Sequence, residues 1–153
     1  MKLTVTLLWL CGFSVTAASS QAADDIRHTA PVMNSIRVQV GEKTFTARLE
    51  NNDTARAFVA MLPLTLEMRD LNDNEKVIEL SKNLPGEVSN PGTIHEGDLM
   101  IWSSRSLVLF YKTFPTTYPY FPLGRIEDSA GLVEAVGAGT VTVTFTKPAV
   151  LLK

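Results

Sequence analysis

Two consecutive stretches, SIRVQV and KTFTARL, alternate apolar and polar residues, and this restricts the fold more than any other feature of the chain. Ile36, Val38 and Val40 alternate with Arg37 and Gln39, and Phe45, Ala47 and Leu49 alternate with Thr44, Thr46 and Arg48. A period of two places one set of side chains on each face of an extended chain, so both stretches read as half-buried strands. Gly41-Glu42 lies between them, and a glycine at the first turn position favours a tight hairpin. LTLEM repeats the pattern with Leu64, Leu66 and Met68, and TVTVTFT repeats it with Val141, Val143 and Phe145. DLMIW and SLVLFY are apolar almost throughout and are separated by Ser103, Ser104 and Arg105. They read as a second hairpin whose strands are covered on both faces.

Helical signals are few. Asn52 or Asp53 suits an N-cap, because its side chain can accept a bond from an otherwise unpaired backbone N–H. Phe58, Val59 and Leu62 follow at helical spacing, and Pro63 stops the run. A second short helix is expected after the acidic turn Glu127-Asp128-Ser129, with Leu132, Val133 and Val136 as its apolar face and Gly137 as a left-handed C-cap. DLNDNEK reads as a turn, Pro85 to Gly92 as a loop, and Val77 to Leu84 as either a strand or a short helix. Many strands with two short helices indicate an antiparallel barrel or sandwich, the helices plugging its ends.

The first 22 residues stand apart. Lys2 is followed by a nearly unbroken apolar run, Leu3 to Val15, and then by the small residues of AASSQAADD. That is the order of a secretory signal peptide, with cleavage expected after Ala22. The run is short for a membrane span, which takes about 20 residues. Leu10 precedes Cys11, where lipidation would need a small residue. Cleavage leaves 13 basic residues against 16 acidic ones and no cysteine. Disulfides are then excluded, the core alone must hold the fold, and nucleic acid is an improbable partner on that charge balance.

Most chemical motifs fail on inspection. Zinc requires three or four clustered ligands, and the mature chain offers His28 and His95 without cysteine. Asp70, Asn72 and Asn74 resemble the start of a calcium loop, but Glu75 holds its glycine position and Ser81 its closing glutamate position. Gly137 to Gly139 follows a helix and precedes a strand, the reverse of a phosphate loop. His95, Asp98 and Ser103 lack the nucleophile elbow of a serine hydrolase. The richest cluster is aromatic: Phe110, Tyr111, Phe114, Tyr118, Tyr120 and Phe121. Such residues either fill a core or wall a groove, where a tyrosine offers an apolar face with a polar tip.

Three segments carry a resemblance. TARAFVAML (Thr54 to Leu62), Gly97-Asp98-Leu99, and Leu123-Gly124-Arg125-Ile126 followed by Leu132-Val133-Glu134-Ala135 are similar, in this order, to the first helix, the Gly-Asp-Phe and the last strand and helix of cyclophilins. Leu62-Pro63, Gly97-Asp98, Phe110-Tyr111 and Leu123 to Ile126 resemble more closely a bacterial branch of compact cyclophilin-like domains of unestablished activity. The resemblance implies a proline-binding pocket but not its chemistry. The isomerase arginine has no counterpart in GEVSNPG, and its phenylalanine is missing. His95 stands near the glutamine position, Tyr120 holds the histidine position, and the tryptophan position falls near Pro115.

The expectation is therefore a mainly β fold, a small closed cyclophilin-like β-barrel with two short helices. It spans residues 34–147, after a signal peptide (1–22) and a flexible leader (23–33), and before a C-terminal tail (148–153). The domain is expected to be periplasmic or secreted, monomeric, and without metal, cofactor, catalytic residue or membrane span after cleavage. It is expected to bind a peptide or small molecule through Phe110, Tyr111, Tyr118, Tyr120, Arg125 and His95, with Arg125 able to hold a carboxylate bidentately. A divergent prolyl isomerase that assists periplasmic folding is the alternative.

Overall fold

The structure, a computed structural model, describes residues 34–148. The expected signal peptide and leader, and the residues after Pro148, lie outside the described residues. Eight antiparallel strands close into a barrel: β1 (Ser35–Val40), β2 (Lys43–Leu49), β3 (Leu64–Leu71), β4 (Glu75–Glu79), β6 (Asp98–Trp102), β7 (Ser106–Phe110), β9 (Phe121–Ile126) and β10 (Val141–Thr146). Their order around the barrel is β1-β10-β3-β4-β7-β6-β9-β2, with β1 and β2 paired across the first hairpin. Two short strands, β5 (Thr93–Ile94) and β8 (Phe114–Pro115), form a separate ribbon.

The alternating residues turn inward as the period requires. Ile36, Val38, Val40, Phe45, Ala47, Leu49, Val143 and Phe145 are buried in one central core. The Val77–Leu84 stretch is strand through Glu79, and Leu80 and Leu84 then bury their side chains beyond it. The β3–β4 hairpin turns on Asn72 and Asp73, both at positive φ (56° and 54°). Asn and Asp accept that conformation more readily than other residues with a side chain.

Helix α1 (Asp53–Val59) is capped by Asn52, whose side chain accepts from the Ala55 N–H. Phe58 packs edge-on against Phe145 with ring centroids 5.5 Å apart. Helix α2 (Leu132–Val136) buries Leu132 and Val136, whereas Val133, expected on the apolar face, is 43 % exposed. With only five residues, the helix presents little more than one turn to the core. Strand β9 runs from the α1 end of the barrel, where Leu123 accepts from Glu50, to the α2 end, where Ile126 bonds Gly97. The two helices therefore stopper opposite ends.

Two glycines matter for different reasons. Gly124 lies where β9 crosses β2 at close range: a Cβ there would stand 2.3 Å from the Arg48 carbonyl oxygen. Gly137 ends α2 with φ 54° and ψ −169°, so it is not the left-handed cap that the sequence suggests but a more extended positive-φ conformation. That region is essentially reserved for glycine. Gly137→Ala is expected to lower stability by about 1–3 kcal/mol through backbone strain alone, since its Cβ would meet no atom within 4 Å. Gly124→Ala is expected to cost more, because backbone must move. Urea midpoints of the two variants test the ranking; an unchanged midpoint for Gly124→Ala would contradict the close crossing.

Candidate functional site

The barrel wall formed by β4, β7 and β6 is buried on both sides, and this positions the site. Leu107, Leu109 and Tyr111 belong to the inner core, whereas Val108 and Phe110 belong to a second cluster with Val77, Ile94 and Tyr120. That outer cluster is roofed by the aromatic connection after β7. Phe110 is fully buried, with Phe114 and Tyr120 edge-on at centroid distances of 5.7 and 5.6 Å. The roof is fastened by backbone bonds: Ser89 and Tyr120 exchange both of theirs, and Thr116 N–H donates to the Gly92 carbonyl at 2.9 Å.

Between this roof and the outer face of the wall lies a groove with a volume of about 760 Å³. Its floor is Leu71, Val77 and Val108, and its walls are Phe114, Tyr118, Tyr120 and Trp102. The polar groups on it include Asn72, Asn74, Glu75, Ser106 and Thr116. Among the described residues no arginine, lysine or histidine lines it. A concave, mostly apolar site of this size with a few polar groups is what small-molecule pockets look like.

The six residues singled out in the sequence separate into three places. Tyr118, 64 % exposed, and Tyr120, which is buried, both line the groove, and Tyr120 packs edge-on against the buried Phe110. Tyr111 follows Phe110 directly and so faces the barrel interior. Its hydroxyl donates to Asp70 Oδ2 at 2.7 Å. Burial, and then that bond, push the Tyr111 hydroxyl far above its ordinary pKa. His95 and Arg125 stand elsewhere, around Asp98. The Asp98 carboxylate, 3 % exposed, accepts from the His95 backbone N–H and from Arg125 Nε. Arg125 borders a smaller depression of about 320 Å³ with Arg48, Glu50 and Pro122. Its guanidinium is thus committed to Asp98 and does not reach the aromatic groove. Ser103 sits in the turn after Trp102, at the far end of β6 from Asp98. Four strand steps, about 13 Å, keep it from forming a hydrolase site with His95.

The sequence reading passed over Trp102 and Glu75, and both line the groove. Alternation was the available signal. Glu75 pairs with Phe110 across the β4–β7 ladder and shares the outward face with Val77. Burial, with the charge of Asp70 adding to it, pushes the Glu75 carboxyl up; Arg69 opposes them.

Inside the wall, Lys76 is completely buried. Its ammonium donates to Asp70 at 2.7 Å and to the Gly137 and Gly139 carbonyls at 2.9 and 2.7 Å. The stretch that resembles a calcium loop is therefore a hairpin whose first carboxylate is paired with a lysine.

The geometry agrees with comparison to known proteins. The model of the cyclophilin-like family matches residues 38–146. The chain belongs to the cyclophilin-like family. The solution structure of the hypothetical protein AF2241 from Archaeoglobus fulgidus shares the fold, with a TM-score of 0.51 and 18 % identity over 74 % of this chain and 94 % of that one. No curated protein matches the chain. Within this cyclophilin-like domain, Tyr120 and Pro115 both line the aromatic groove.

The buried pair sets an acid limit. Lys76, donating to Asp70, holds that carboxyl below its ordinary range; burial opposes it, and the Tyr111 hydroxyl adds to the lowering. A depressed carboxyl stabilises the fold above the unfolded pKa near 3.8 and loses that contribution as pH falls through the lower folded value. Asp70→Asn, which strands Lys76, is expected to cost about 3 kcal/mol at pH 7. The gap to the parent protein should narrow below about pH 4. Denaturant melts at pH 7 and pH 3 measure this, and an identical gap at both would remove Asp70 from the acid response.

Proposed function

We propose that this chain is an exported cyclophilin-like domain that binds a peptide or small molecule in the outer aromatic groove without isomerising proline bonds. The observation that carries this reading is the lining of the groove: aromatic and apolar walls, with no guanidinium among them. Prolyl isomerisation must weaken the amide resonance behind a barrier of about 18–20 kcal/mol. An arginine at the pocket performs that task in cyclophilins. Here Arg125 is held by Asp98, away from the groove, and Tyr120 occupies the histidine position with its ring packed on Phe110. In this reading the groove serves for binding and lacks the polarising group that isomerisation needs. Tyr118 and Tyr120, with Phe110 beneath, are the binding residues of this reading; Tyr111, His95 and Arg125 leave it.

A protease-free assay on a proline peptide with the purified protein should show only the uncatalysed relaxation, over tens of seconds or longer. Acceleration that grows with protein concentration would favour the divergent isomerase instead. Export follows from the charged, apolar and small-residue order of the first 22 residues. Mass analysis of protein recovered from a Gram-negative host should find an N-terminus at Ala23 in the periplasmic fraction. An intact Met1 in the cytoplasm would refute it.

A further inference from the structure

We propose that the groove selects a cation on an apolar body, an ammonium group attached to an aromatic or hydrocarbon frame. This rests on the reading of the groove as a ligand site and adds the class of ligand. Among the described residues Glu75 is the one charged residue on the lining, and it makes no ion pair. The adjacent Asn74, also on the lining, has a buried side-chain oxygen with no hydrogen-bond donor. That oxygen is closed off from the surface, so the half-buried Glu75 carboxylate is the acceptor a ligand in the groove can meet. An ammonium carries three donors and no acceptor.

The aromatic residues point the same way. Among the described residues the exposed large hydrophobics are Val88, Trp102, Tyr118 and Val133, and the two aromatics of that set both border the groove, 49 % and 64 % open. Indole and phenol faces attract cations through the ring quadrupole, indole most strongly. An anion finds the opposite setting. It would meet Glu75 directly, while Asp70 and Arg69, whose opposite charges both act on that carboxyl, lie outside the lining. Burial already disfavours a bare carboxylate at Glu75. A cation beside it supplies the missing partner.

Three probes of matched shape test this: naphthylethylammonium, naphthylethanol and naphthylpropanoate, titrated into the full chain at pH 7 and followed by NMR shifts of the Val77 and Val108 methyls on the groove floor. The ammonium should bind about tenfold tighter than the alcohol, equivalent to about 1.4 kcal/mol, and the carboxylate more weakly than the alcohol. Glu75→Gln should bring the ammonium to within about twofold of the alcohol and leave the alcohol unchanged, as expected for loss of one charge-assisted bond. The ranking of probes on the parent protein decides the question even if that variant fails to fold. Equal affinity for all three, or preference for the carboxylate, overturns the charge selection and leaves the groove a ligand site. No shift with any of the three overturns both.

Discussion

The wall of β4 and β7 has to exclude water from both of its faces, and the rest of the structure follows from that constraint. On the inner side Leu107 and Leu109 meet the residues of the opposite strands. On the outer side Val77, Val108 and Phe110 would face solvent in a bare barrel, and the chain covers them with its own connection. The β5–β8 ribbon, the Phe114 and Tyr120 rings and the Ser89–Tyr120 bridge are all parts of that cover. The cover is incomplete. The space left between it and the wall is the groove, so the site is a by-product of how an apolar strand pair is buried.

The second constraint is electrostatic. A fully buried lysine is among the rarest residues in a protein interior, and it is tolerated when its donors are satisfied. Lys76 has one carboxylate and two carbonyls, with the Tyr111 ring 5.4 Å from its Nζ. The two carbonyls belong to the GAG segment after α2, which the sequence offers only as a helix end. Lys76 thereby ties the α2 stopper to the middle of the barrel wall. Such a network contributes less to net stability than its short distances suggest, because desolvation offsets much of it. Its larger effect is to penalise any arrangement that leaves one member unpaired.

The strands were legible in the sequence because their signal is local, whereas closure into a barrel rather than a sandwich came with the cyclophilin resemblance. The alternations in SIRVQV, KTFTARL and TVTVTFT require only a period, and the strands run as that period demands. The Asn52 cap was equally local. The site was legible in part. A buried Phe110 and an exposed Tyr118 followed from their positions in a strand and in the connection beyond it. Phe110 and Tyr111 could not share a groove, since neighbours in a strand face opposite ways. Pairings across the chain left no trace in spacing: Arg125 with Asp98, Lys76 with Gly137, Glu75 opposite Phe110. Those arise from register, which a single sequence states weakly. Val133 failed for a different reason, as five residues of helix are too few for a stripe to be reliable.

Closure of the barrel has one more consequence. All eight barrel strands have both neighbours, which leaves only the two-residue strands of the β5–β8 ribbon with free backbone groups along a sheet edge among the described residues. An extended segment from another molecule therefore finds no long ladder to join among the described residues, only the short edges of that ribbon. The groove is defined by side chains on a closed hydrogen-bonded frame, so sequence changes can reshape its lining while the frame stays as it is.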